Sequence, residues 1–338
     1  MTSQGAAAGS PAGAPIAAGA GPVLAAGRSD AWAPPDLRRW LQLGLAALWV
    51  LDGVLQYQSF MFTRAFGQML AGGAGGNPAV LADSVRWAAV IIEHRPAATN
   101  AAFASIQLAL GLGIAWRPAA RAALACSVLW SAAVWWFGEG LGGILNGSAS
   151  PVSGAPGAVV LYALLASLVW PAAGRPGSPG RDSFVAARPL GAAAARGLWV
   201  VLWGSLAYFS LTAASRTAQG LHDMIAGLAD GEPGWLSAVD RGVAGVLARH
   251  GLPASIALAV VLAAIAAGIF LPAPGVHVTV ALAVAVSLVI WLVGQDLGEV
   301  LAGNATDVNS GPLLALIALA YWPMRAAAGP ERGAGQAS

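Results

Sequence analysis

Lysine is absent from this 338-residue chain, and every side chain in it that is cationic at neutral pH with histidine neutral is arginine. Charge of either sign is scarce, at 9% of residues against roughly a quarter in an ordinary soluble domain. The single cysteine, Cys126, excludes intrachain disulfides, thiolate metal clusters and CxxC redox chemistry; its place in an apolar run leads us to expect it buried and inert. No basic stripe accompanies the net charge of +2, so nucleic acid is not an expected partner. Rossmann glycine spacing, haem-attachment motifs and metal-ligand clusters are missing too, and no metal is expected. What abounds is apolar surface. At 57% hydrophobic residues the chain belongs in a lipid bilayer, and its Arg, Ala and Gly usage fits a GC-rich bacterial genome.

An apolar helix of about 20 residues crosses the hydrocarbon core of roughly 30 Å. Eight runs approach that length: 40–62, 97–116, 119–137, 157–170, 197–214, 254–271, 275–293 and 312–324. The expected fold is therefore all-α, a polytopic membrane protein of eight transmembrane helices. Residues 1–39 lack helical period and a secretory signal and are read as a disordered tail. Arginines divide eleven against six between alternate sides of the spans, and ten acids join the six. The positive-inside rule then puts both termini in the cytoplasm of a bacterial cytoplasmic membrane.

The chain contains itself twice. Trp135–Pro156 (WWFGEGLGGILNGSASPVSGAP) and Trp291–Pro312 (WLVGQDLGEVLAGNATDVNSGP) align without a gap, and LWVLDG at Leu48–Gly53 echoes WVVLWG at Trp199–Gly204. His94 aligns with His250 and Pro118 with Pro274. Each unit has an even number of spans, so two parallel-repeated four-helix bundles are expected, 40–171 and 197–324. An arginine-rich cytoplasmic linker, 172–196, joins them, and a cytoplasmic tail, 325–338, follows. Since the fourth and eighth runs are short, the glycine-rich motifs are expected to fold back over the outer mouth of each unit.

The unit of four spans has a long loop after the first and a second span opening QLALGLGIAWRP at Gln107–Pro118. Its third ends in W-x-x-G-E/Q ahead of the glycine-rich segment. In these features it resembles the DoxX family, in the branch containing DoxD, the small subunit of thiosulfate:quinone oxidoreductase. The resemblance covers 40–324 as a tandem duplicate. It implies an accessory or electron-transfer subunit at the quinone level, with quinone as ligand and a partner subunit supplying the redox centre.

Among individual residues, Glu139 is the candidate catalytic group. A carboxyl beside Gly138 and Gly142 at the end of a Trp-rich helix could take a quinol proton, or it could be a helix-end acid in interfacial water. Trp135 and Trp136, with Trp130, could stack on a ring or anchor the membrane interface. Asp52 lies deep in the first span, where an acid by default suggests function, although helix packing beside Gln56 and Gln58 is the alternative. Asp296 and Glu299 would share a helical face, but offer too few ligands for a metal. His94 and His250 sit at helix entrances instead of in a bundle core, so interfacial histidine is preferred to haem. A non-catalytic scaffold and a parallel-repeat transporter remain the alternatives to the redox reading.

Overall fold

The computed structural model describes residues 36–171, 184–212, 218–229 and 232–324. Among them all regular structure is helical. Asp36 opens the first helix, α1 (Leu37–Leu55), by accepting from the Arg39 amide at 2.9 Å. There follow α2 (Arg64–Gly72), α3 (Ala79–His94), α4 (Pro96–Ala115), α5 (Ala120–Phe137) and α6 (Ala158–Leu168). After the short α7 (Ala187–Leu190) come α8 (Ala192–Phe209), α9 (Ala218–Leu228), α10 (Gly234–Gly268), α11 (Ala273–Val289) and α12 (Ser310–Leu319).

Five segments are long and apolar enough to cross a bilayer: α4, α5, α8, α10 and α11 with the π turn that extends it to Gly294. They make the chain a multi-pass membrane protein. Helices also form in the other three expected runs, but α6 and α12 have 11 and 10 residues, about 16 Å at 1.5 Å per residue. Their apolar runs are short in sequence, and the chain before each is held in an irregular loop that does not extend the helix. The first span starts earlier than its apolar run, because Asp36 caps it, and α8 likewise begins at Ala192, inside the expected linker. The expected tails and most of that linker lie outside the described residues. Its end is core instead: Phe184 stacks on Tyr321 at 5.2 Å, and the Ala186 amide donates to the Ala320 carbonyl at 3.0 Å.

Lipid, unlike water, accepts apolar side chains, so the spans carry them on both faces. Leu112, Leu129, Val201, Val260, Phe270 and Val278 all point outward, and Trp40, Trp87, Trp116 and Trp235 are more than half exposed. The same physics corrects the expectation for Cys126, which is exposed on α5. An apolar run says nothing about which of its faces meets protein when the solvent is itself apolar. Inside, one continuous core is drawn from α1, α4, α5, α6, α8, α10, α11 and α12, and Trp49, Tyr162, Trp199, Trp203 and Tyr321 are its largest fully buried side chains. Small residues let helices touch: a Cβ on Gly53 would lie 2.8 Å from Leu108 Cγ, and one on Gly111 2.6 Å from Val50 Cγ2, which seats α1 against α4. At one end of this pair Arg39 donates to the Ile114 carbonyl at 2.9 Å and to the Ala115 carbonyl, closing the end of α4.

α3 and α4 break at Arg95 before Pro96, whereas α10 runs on as one 35-residue element kinked at His250 (φ −133°), with Pro253 inside it. Pro253 has no amide for the Arg249 carbonyl, which is why the bend falls there. The break thus matches Arg95 to His250, and the ungapped match of His94 with His250 is off by one residue.

Candidate functional site

Both glycine-rich segments begin with the same departure from the α-helix. At the end of α5 the amides of Gly138 and Glu139 both donate to the Val134 carbonyl, at 2.7 and 3.0 Å, and at the end of α11 Ile290–Gly294 forms a π turn. Four consecutive left-handed residues follow in each case. They are Gly140, Leu141, Gly142 and Gly143 (φ 54°, 59°, 62° and 72°), and Asp296, Leu297, Gly298 and Glu299 (φ 47°, 56°, 78° and 54°). A left-handed turn costs about 1–2 kcal/mol per residue bearing a Cβ, so the second loop is the more strained. Gly142 is obligatory for space as well, since a Cβ would run into the Pro156 carbonyl; at Gly298 it would lie 2.6 Å from the Val308 oxygen.

Indoles clamp both loops: Trp135 Nε1 donates to the Pro156 carbonyl and Trp291 Nε1 to the Val308 carbonyl, each at 2.8 Å. The structural counterpart of Pro156 is therefore Val308. This corrects the ungapped alignment past the turn, because the first loop carries four more residues between turn and clamp (142 to 156 against 298 to 308). Under the corrected register Asp307 corresponds to Ala155.

Glu139 follows the clamped helix and meets the start of α6. Its Oε1 accepts from the Val159 amide at 3.2 Å, at a helix end that favours negative charge, while Oε2 is buried without a partner. Burial, and then Asp307, push its pKa up to about 8. Asp307 is also raised by burial, against the pull of the Asn309 amide at 2.7 Å and the Thr306 hydroxyl at 2.9 Å. Asp52 is 1% exposed, lies beside the Tyr162 hydroxyl and the Val308 amide, and leaves Oδ1 unpartnered.

These three carboxyls line one cavity of about 480 Å³. The rest of its wall is mostly apolar and carries six aromatic side chains, Trp49, Phe66, Trp87, Phe103, Trp130 and Phe137. Trp130 Nε1 and Gln107 Oε1 face it with no hydrogen-bond partner. A second, polar chamber of about 420 Å³ adjoins it, formed by both loops with Ser148, Ser153, Glu299, Asn304 and Asn309. Glu139, Asp307, Thr306, Gly138, Met69 and Gly73 line both chambers, so the acid pair stands where they meet. Asp307 comes from the far loop, which is tied to α1 and its extension by Gln56 donating to the Thr306 carbonyl at 3.3 Å and Gln58 to that of Ala305 at 3.2 Å.

Of the residues singled out in the sequence, Glu139, Asp52, Gly138, Gly142 and Glu299 come together here. Trp135 is near but acts as a clamp, and Trp136 is exposed outside both linings. His94 and His250 are exposed, each bonded through Nδ1 to a carbonyl one turn back in its own helix (2.7 and 3.1 Å), away from both chambers. Asp296 lies elsewhere, buried with Glu232 and Asp240. Its carboxyl pairs with that of Glu232, and burial with the neighbouring acids raises the Asp296 pKa to about 7. Sequence reasoning missed Asp307, whose signal was concealed by the ungapped alignment opposite Pro151, and the aromatic wall beyond Trp130, which spreads over five helices, α1 to α5. Comparison of the chain with protein-family models, with curated proteins and with solved structures returned no match.

Proposed function

We propose that the protein is a membrane accessory subunit that binds a quinone in the aromatic cavity, with a partner subunit supplying the redox centre. The observation that carries this reading is the cavity's chemistry: a ring-sized apolar space whose unsatisfied polar atoms are the Trp130 indole N–H, the amide oxygens of Gln56 and Gln107, and carboxyls. A flat ring with carbonyl oxygens at its edges stacks on such walls and accepts from such donors. Glu139, with a pKa near 8, is mostly protonated at neutral pH and so donates to a quinone oxygen. On reduction by two electrons from the partner, the quinone would take two protons, delivered in turn by Glu139, which regains each from water.

The same reading makes the chain two DoxX-like four-helix units in parallel, termini in the cytoplasm and chambers opening outward. It is supported by the paired left-handed turns, the paired indole clamps and the proline caps at Pro78 and Pro233. In the second unit Trp203 and Gln295 stand where the first has Asp52 and Glu139, and the first loop carries Ala155 where the second loop carries Asp307, so the ligand belongs to the first unit. Transport is the second reading, favoured by the depth at which Asp52 meets the cavity.

Quinone retained per chain in mild detergent, against a lipid carry-over control, tests this. Near-stoichiometric quinone, lost in Trp130→Ala and reduced in Glu139→Gln, is the expected result. Quinone at the carry-over level in the wild type would overturn the reading and favour transport or a scaffold.

A further inference from the structure

The two chambers differ in kind, and what joins them is a pair of acids. On one side the wall is aromatic; on the other it is glycine backbone, serine, asparagine and Glu299. Among the described residues no Arg or His lines either chamber, so nothing there neutralises the carboxyls except protons. The titratable groups facing Asp307 are Glu139 from the first loop, Glu299 from its own loop, Asp52 from α1 and Tyr162 from α6. Asp52 opens on the apolar cavity alone, Glu299 on the polar chamber alone, and Glu139 and Asp307 on both.

We propose that Glu139 and Asp307 form a proton passage between the polar chamber and the apolar cavity, through which Asp52 exchanges its proton, and that Asp307 is placed there by the second loop for this purpose. The passage deepens the reading of the cavity as a quinone site, but its geometry does not require the ligand. Each acid has an oxygen or a hydrogen-bonded neighbour turned toward the junction: Oε2 of Glu139 is unpartnered, and Asp307 is held by Thr306, which lines both chambers. A carboxyl at a boundary can bind a proton on one face and release it on the other by rotating about one bond. The aromatic wall offers no such group along the rest of its surface, Gln107 being an amide that does not titrate.

Carboxyl infrared bands of the detergent-solubilised full chain, followed after mixing with D2O and without added quinone, test the passage separately from ligand binding. The Asp52 band is identified by its loss in Asp52→Asn. We expect it to exchange at least tenfold more slowly in the double variant Glu139→Gln/Asp307→Asn than in the wild type, with each single change giving part of the effect. Thermal melting of each variant confirms folding. Should the double variant not fold, Glu139→Gln alone, which copies the native Gln295 arrangement, carries the test. Unchanged Asp52 exchange in folded protein would overturn the passage whether or not quinone binds. Slowed exchange in a chain that retains no quinone would uphold the passage and sink only the quinone reading.

Discussion

Glu139 and Gln295 stand at the same point of two like-shaped loops and differ by one unpartnered oxygen. Gln295 accepts from the Gly311 amide at 3.0 Å and donates to Ser310 Oγ at 2.7 Å and to the Pro151 carbonyl at 3.0 Å, so its amide is fully used in joining a helix start to the opposite loop. Glu139 holds its helix start with Oε1 alone. The second loop is thus a finished joint, and the first keeps a group in hand for something else.

Glu139 should make stability depend on pH. Its pKa rises from the ordinary 4.5 to about 8 on folding, so between those values the folded chain holds a proton that the unfolded chain releases. Its contribution is fully present below about pH 4.5 and lost as pH rises through about 8. Melting temperatures across that window should fall less steeply for Glu139→Gln than for wild type. Parallel slopes would show that Glu139 titrates normally.

Asp296 should behave the same way over a lower window, its pKa rising from 3.8 to about 7. Asparagine tolerates the left-handed φ of 47° and carries no charge. Asp296→Asn is therefore expected to melt higher than wild type at about pH 8 and to match it near pH 4.

Gly142→Ala places a Cβ against the Pro156 carbonyl at a positive φ, and should destabilise the chain by about 1–3 kcal/mol. Gly147 has a positive φ too, but open space around it, so Gly147→Ala should cost only about 1 kcal/mol. Denaturant or thermal unfolding of the two variants separates crowding from dihedral strain.

Asp52→Leu takes the acceptor away from the buried Tyr162 hydroxyl and Val308 amide, and should lower stability by about 1–3 kcal/mol while abolishing quinone retention. Undiminished quinone in the folded variant would mean that Asp52 is a packing residue.

Much of this arrangement was legible in the sequence, for identifiable reasons. The apolar runs gave the helices, and Trp-x-x-Gly-Glu with its glycines marked the loop because a left-handed turn needs residues without Cβ. The clamp partners were hidden, since Trp135 and Trp291 choose backbone carbonyls that any residue supplies. Asp307 was hidden because the loops differ in length by four residues, and the cavity because its aromatic residues lie on helices that meet only after folding. The exposed Cys126 was misread because lipid and protein interior select the same side chains.

The far loop's place at the first cavity also fixes when that cavity can exist during synthesis. Thr306 and Asp307 leave the ribosome about 250 residues after Asp52, tens of seconds later at about 5–20 residues per second. Until then the chamber lacks a wall. A chain released before its second loop has no completed pocket to fill, however well its first helices have inserted, so ligand occupancy reports that synthesis has passed Asp307.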